Sequence, residues 1–62
     1  MRELIEAERA RYERAPMREL RNVLVALSIN SWGNTLEEQA RLIAVDMIVH
    51  DRLARRMKER VA

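Results

Sequence analysis

The stretch from Thr35 to Val61 constrains the fold of this chain most strongly. Eight of its residues, which we call the main stripe, recur at alternating intervals of four and three: Leu36, Ala40, Ile43, Met47, His50, Ala54, Met57 and Val61. Residues three and four apart lie on one side of an α-helix. Thr35 and Glu38 have the spacing of a capping box, and basic residues crowd the far end, where the helix dipole favours cations. We therefore predict a helix over 35–61, about 40 Å long at 1.5 Å per residue.

The rest of the composition limits how such a helix is stabilised. The chain has 62 residues, no cysteine and 48% hydrophobic residues. This composition predicts one small domain, too apolar to be disordered and without disulfides or thiolate metal sites. A domain this small usually needs extra stabilisation, and oligomerisation is the means that remains. No run suits a membrane span or a secretory signal, so we expect a cytoplasmic location and no membrane association.

Pro16 divides the first half of the chain. Residues 1–15 alternate acidic and basic side chains with few apolar ones, which predicts a charged helical arm that is marginal on its own. Proline lacks an N–H and disfavours helical angles before it, so Pro16 either begins a second helix or kinks one long helix. Apolar residues in 16–30 continue the helical spacing, and we predict a helix there. The run 23–29 would also suit a strand, but the chain offers no second strand to pair with it.

Residues 30–35 predict the turn before the long helix. Gly33 and the asparagines around it tolerate positive φ, which we expect the reversal to require. A short loop makes its two helices antiparallel neighbours. Facing residues then have numbers that sum to about 65, so Leu20 faces Val45, and residues 4–15 lie along the second half of the long helix.

The long helix carries more apolar surface than one hairpin can bury. Beside the main stripe lies a second strip, formed by Leu42, Val45, Ile48, Val49 and Leu53. One strip can be covered within the chain, and the other needs a partner. A two-fold homodimer buries the same patch on both copies, although the open strip would also suit another protein. The fold prediction is all-α: an antiparallel helical hairpin with a charged N-terminal helical arm kinked at Pro16, dimerising into a four-helix bundle.

The inventory of catalytic side chains is nearly empty. The chain has one histidine, no cysteine, no glycine-rich loop and no metal-binding motif. We therefore predict no enzyme and no cofactor. Asp46 and His50 are four residues apart, and a two-fold dimer would bring two of each together as possible zinc ligands. We favour the simpler interpretation, a polar node that fixes the register of an apolar seam, and predict no metal site.

Two surfaces are candidates for binding. Trp32 either folds over the open end of the bundle or stands exposed as an anchor for another protein. Its predicted neighbours in partner binding are Asn30 and Asn34 in the turn and Leu42, Val49 and Leu53 on the second strip.

The second surface is a ridge of arginines near the end of the long helix, namely Arg52, Arg55, Arg56 and Arg60. Such a ridge can follow phosphates, although cations at a helix C-terminus also complement the dipole. We predict a non-enzymatic interaction protein that binds, inhibits or tethers another protein as a homodimer. The alternative is a nucleic-acid-binding regulator that uses the arginine ridge.

Overall fold

The computed structural model describes residues 1–29 and 31–61. Helix α1 spans Arg2–Tyr12, α2 spans Met17–Ser28, a 3-10 turn spans Ser31–Gly33, and α3 spans Leu36–Val61. These ranges hold no strand, and the predicted all-α class is confirmed. The molecule measures 42 × 24 × 16 Å. Its long dimension matches the length of α3, about 39 Å at 1.5 Å per residue.

The predicted capping box begins α3. The backbone N–H of Thr35 donates to Oε1 of Glu38 at 3.0 Å, and the backbone N–H of Glu38 donates to Oγ1 of Thr35 at 3.1 Å. These contacts satisfy two donors that a helix start leaves without partners. The hydrogen bond from the Thr35 backbone, and then that of its hydroxyl, lower the pKa of Glu38.

Pro16 is the N-cap residue of α2. Helices α1 and α2 are therefore two helices and not one kinked helix. The Pro16 ψ of 151° is extended, and its carbonyl accepts from the N–H groups of Glu19 and Leu20. The N–H of Ala15 donates to the carbonyl of Tyr12, which closes the end of α1. Extended backbone at Pro16 interrupts the helical hydrogen bonds, so α1 is free to take its own direction.

The core lies where α2 meets α3. Leu20, Val45 and Ile48 form the buried cluster, and the predicted proximity of Leu20 and Val45 is therefore observed. Partly buried side chains from all three helices and the α1–α2 connection surround this cluster: Tyr12, Ala15, Met17, Val23, Leu24 and Val49.

Helix α1 lies across the middle of α3. Glu8 accepts two hydrogen bonds from Arg41 at 3.2 Å, Arg9 donates to Asp51 at 2.6 Å, and Arg52 donates to the carbonyl of Glu13 at 2.9 Å. The adjacent residues Glu8 and Arg9 thus bond to partners ten residues, about 15 Å, apart on α3. The expectation that residues 4–15 follow the second half of α3 is wrong at Glu8, because the chain turns between α1 and α2.

The Glu8–Arg41 pair is the most sheltered ion pair among the described residues. Both side chains are at least three-quarters buried, and the geometry is two-pronged, which strengthens a carboxylate–guanidinium contact. The hydrogen bonds from Arg41 to Glu8 raise the pKa of Arg41, and partial burial opposes them. The pair joins residues 33 apart in sequence and fastens α1 onto α3.

The turn before α3 differs from the prediction. Neither Gly33 nor any other residue within 1–29 and 31–61 has positive φ, so the expected left-handed glycine is wrong. The chain instead reverses through the 3-10 turn. The side-chain amide of Asn34 donates to the carbonyl of Leu27 at 2.9 Å, and Gln39 donates to the carbonyl of Asn34 at 3.1 Å. These two bonds tie the turn to both helices without strained backbone.

Candidate interaction surfaces

Helix α3 presents three faces, and two of them are covered by its own chain. The face towards α1 carries Arg41 and Asp51, whose charged ends bond to Glu8 and Arg9. The face towards α2 carries Leu42, Val45 and Val49, which are buried or partly buried. We call the third face the outer face. It carries Leu36, Ile43, Met47, His50, Ala54 and Met57, all exposed.

The outer face consists of six of the eight residues of the main stripe. Of the other two, Ala40 is fully buried, and the side chain of Val61 lies outside the described residues. The stripe with the most regular spacing in the sequence is therefore the one that the single chain leaves open. Sequence reasoning named both strips and predicted partner-binding residues on the second strip, and that assignment stays a prediction. The uninterrupted alternation of three and four is the signal that points to a helix–helix seam.

Of the three partner-binding residues predicted on the second strip, two are partly buried in the structure. Leu42 and Val49 are partly buried, and Val49 packs against the core cluster. Leu53 is 43% exposed. Leu53 is thus the one of these three predicted residues that offers a large accessible apolar surface.

Trp32 lies at the end of the molecule where α2 and α3 are joined. Its side chain is 89% exposed, so Trp32 does not fold over the core as a lid. Val25 and Ile29, one turn apart near the end of α2, and Leu36 at the start of α3 are also exposed. We call Val25, Ile29 and Trp32 the end patch, whereas Leu36 belongs to the outer face. The predicted site residue Asn30 lies outside the described residues, and Asn34 uses its side-chain amide to hold the turn.

Three of the four predicted arginines border one groove. Arg52, Arg55 and Arg56 line a cavity of about 270 Å³ together with Met17, Leu53 and Glu59. Arg52 donates to the carbonyl of Glu13 and is thus partly engaged within the chain. Arg60 is exposed and does not line the groove. The lining of the groove thus combines two apolar side chains with three arginines and one glutamate.

Asp46 and His50 meet on the surface of α3. Nδ1 of His50 lies 2.8 Å from the backbone carbonyl of Asp46 and 3.4 Å from its Oδ1, and both side chains are mostly exposed. Within the described ranges, no three His, Cys, Asp or Glu side chains lie close enough to hold a metal ion. His50 belongs to the outer face, and Asp46 borders it.

The comparisons with known proteins add no relative. The sequence matches no model of a protein family, and no curated protein or solved structure has significant similarity to it. None of the helices described in the structure is long and apolar enough to cross a membrane. The function of this chain must therefore be inferred from its surfaces.

Proposed function

We propose that this chain is a non-enzymatic interaction protein that acts as a homodimer and binds another protein through the end patch. The observation that carries the proposal is the exposure of Trp32, at 89%, with the exposed Ile29 three residues before it. Large apolar side chains gathered on a small surface are typical of protein-binding sites. Tryptophan in particular is enriched among residues that dominate binding energy.

The turn that carries Trp32 supports a preformed anchor. Asn34 ties the turn to α2, and Gln39 ties it to α3. A side chain held on a fixed backbone loses less conformational freedom on binding, and this raises affinity. The end patch therefore favours a partner with an apolar pocket that accepts the indole ring.

The test uses Trp32 as its own reporter, because it is the only tryptophan in the chain. A tagged chain is used to isolate partners from extracts of its native host, and each candidate is then purified and titrated. Binding should shift the Trp32 emission to shorter wavelength, since the ring leaves water. Trp32→Ala should weaken binding of the same partner by about 2 kcal/mol or more, the scale of a hot spot.

Arg18→Ala is the control, because Arg18 is exposed but lies at the start of α2, away from Trp32. This variant should bind the partner as the wild type does. If Trp32→Ala folds and binds unchanged, the end patch is not the site, and Leu53 becomes the next candidate. If Trp32→Ala unfolds the chain, the residue is structural and the proposal fails.

The groove supports nucleic-acid binding as a second candidate function. Arg52, Arg55 and Arg56 border one concave surface, and guanidinium groups suit phosphate. If the groove binds nucleic acid, affinity should fall steeply with salt, because each neutralised phosphate releases counterions. Reversing Arg55 and Arg56 to Glu should then abolish binding, whereas Trp32→Ala should not affect it.

A further inference from the structure

We propose that the outer face of α3 is the seam of an antiparallel homodimer, in which facing residues have numbers that sum to 97. The occupant of the face is a second copy of the same chain. This inference rests on the homodimer of the proposed function and specifies its surface, direction and register. Since each chain contributes three helices, the assembly contains six helices and not the four of the sequence prediction.

The outer face has the properties of one half of a seam. It runs from Leu36 to Met57, about 32 Å along the helix, and lies on the side of α3 away from Val45. The intervals within the stripe are those of the positions at which coiled-coil helices pack into each other. Neither α1 nor α2 covers these residues, so a further helix has room to lie along them.

Side-chain size favours the antiparallel direction. In this register Ile43 meets Ala54 of the partner subunit, and Met47 meets His50 of the partner subunit. The same contacts recur on the other side of the two-fold axis. Each pair of facing residues combines a large side chain with a smaller or differently shaped one. Such pairs fill the space between the helices, as in well-packed cores. A parallel pair would instead set Ala54 against Ala54 and leave a void.

Charges beside the seam favour the same direction. Antiparallel helices bring matching flanks together, so Glu37 lies beside Lys58 of the partner subunit at both ends of the dimer. A parallel pair would bring opposite flanks together and would lose both contacts between Glu37 and Lys58 of the partner subunit. Flanking charges of this kind set the orientation of paired helices, and like charges oppose pairing.

The register follows from the same charges. Sliding one helix by a heptad in either direction separates Glu37 from Lys58 of the partner subunit. Both shifts also shorten the overlap of the two outer faces. The sum of 97 keeps the full overlap and brings unlike charges together.

Disulfide trapping tests direction and register. The chain has no cysteine, so Ile43→Cys and Ala54→Cys can be made singly, given different tags and mixed under mild oxidation. We expect the mixed disulfide to exceed either disulfide between identical variants by at least tenfold. In a parallel dimer positions 43 and 54 are about 16 Å apart, far beyond the reach of a disulfide. Random pairing in urea gives the reference.

Charge exchange tests the flanks independently. Lys58→Glu should weaken dimerisation by about tenfold, because it places Glu beside Glu37 at both ends, where exposed pairs are each worth a modest amount. Combining it with Glu37→Lys should restore the wild-type dissociation constant. Failure of the rescue would overturn the register.

The outcomes separate this inference from the proposed function. A dimer that gives only disulfides between identical variants overturns the antiparallel seam and leaves the homodimer intact. A folded monomer at micromolar concentration in light scattering overturns both. Met47→Glu should convert the dimer to a helical monomer with Trp32 still accessible to acrylamide. A Met47→Glu protein that remains dimeric would exclude the outer face as the seam.

Discussion

Val45 and Met47 lie two residues apart on α3 and face opposite sides of it. Val45 is fully buried beside Leu20, whereas Met47 is 40% exposed. Two steps along an α-helix rotate the side-chain direction by about 200°, so the two side chains point to opposite sides of α3. Each is apolar for a different reason. Val45 closes the fold of the single chain, and Met47 offers surface to a partner. The same helix thus serves as the scaffold of the core and as the proposed seam.

Burial predicts that two apolar truncations on α2 have unequal effects. Leu20→Ala should lower the free energy of unfolding by about 3 kcal/mol, because it removes a fully buried side chain and leaves a cavity. Val25→Ala is the control on the same helix and should cost little, since Val25 is exposed. Urea unfolding followed by circular dichroism, at one fixed chain concentration, measures both. Equal effects would contradict the core described here.

The Glu8–Arg41 pair predicts a measurable coupling energy. A double-mutant cycle with Glu8→Gln and Arg41→Gln should give about 1 kcal/mol, because both side chains are largely sheltered from water and bond in two places. The pair Arg2–Glu6 within α1, whose side chains are both largely exposed, is the control. Its cycle should give at most a few tenths of a kcal/mol. If the coupling energy of Glu8–Arg41 were no larger than that of Arg2–Glu6, the Glu8–Arg41 pair would not fasten α1 onto α3.

Local signals were sufficient to predict α3. Its start depends on Thr35 and Glu38, which are three residues apart, and its length on a periodic pattern that needs no tertiary context. The helix over 16–30 was predictable for the same reason, to within two residues at its end. Helices can be predicted from patterns that span a few residues, because the interactions that stabilise them join residues close in sequence.

The position of α1 was not predictable from such patterns. Pro16 permits both a kink and a new helix, and the choice depends on Glu8 reaching Arg41, 33 residues away. Where α1 lies also decides which face of α3 stays open. Both apolar strips have suitable side chains, so hydrophobicity alone does not choose between them. For that reason the sequence did not reveal that Leu42 and Val49, two of the predicted partner-binding residues, are partly buried by the chain itself.

The capping box predicts a dependence of stability on pH. The pKa of Glu38 is lowered in the folded state. Its contribution is therefore present above its ordinary value of 4.5 and is lost as the pH falls through the lower folded value. Urea midpoints of the wild type and Glu38→Gln should differ at neutral pH, and the difference should be smaller at an acidic pH well below 4.5.

Thr35 provides the matched variants for this prediction. Thr35→Ser keeps the hydroxyl. In this background the urea midpoints measured with Glu38 and with Glu38→Gln should differ as much as they do with Thr35. Thr35→Ala removes the hydroxyl, should cost about 1 kcal/mol, and should reduce that difference. A difference between wild type and Glu38→Gln that is the same at both pH values would mean that the ionised carboxylate is not what caps α3.

His50→Leu should keep the helix content and raise or preserve the melting temperature of the dimer. His50 lies at the centre of the proposed seam opposite Met47 of the partner subunit, and apolar replacement of a buried polar node is often neutral or stabilising. Arg18→Leu, on the exposed side of α2, is the control for added apolar surface. Thermal unfolding at fixed concentration, with and without Zn²⁺, measures the effect. If Zn²⁺ raised the melting temperature of the wild type and His50→Leu abolished the rise, His50 would be a metal ligand across the two-fold axis, and the structural interpretation of the Asp46–His50 pair would be wrong.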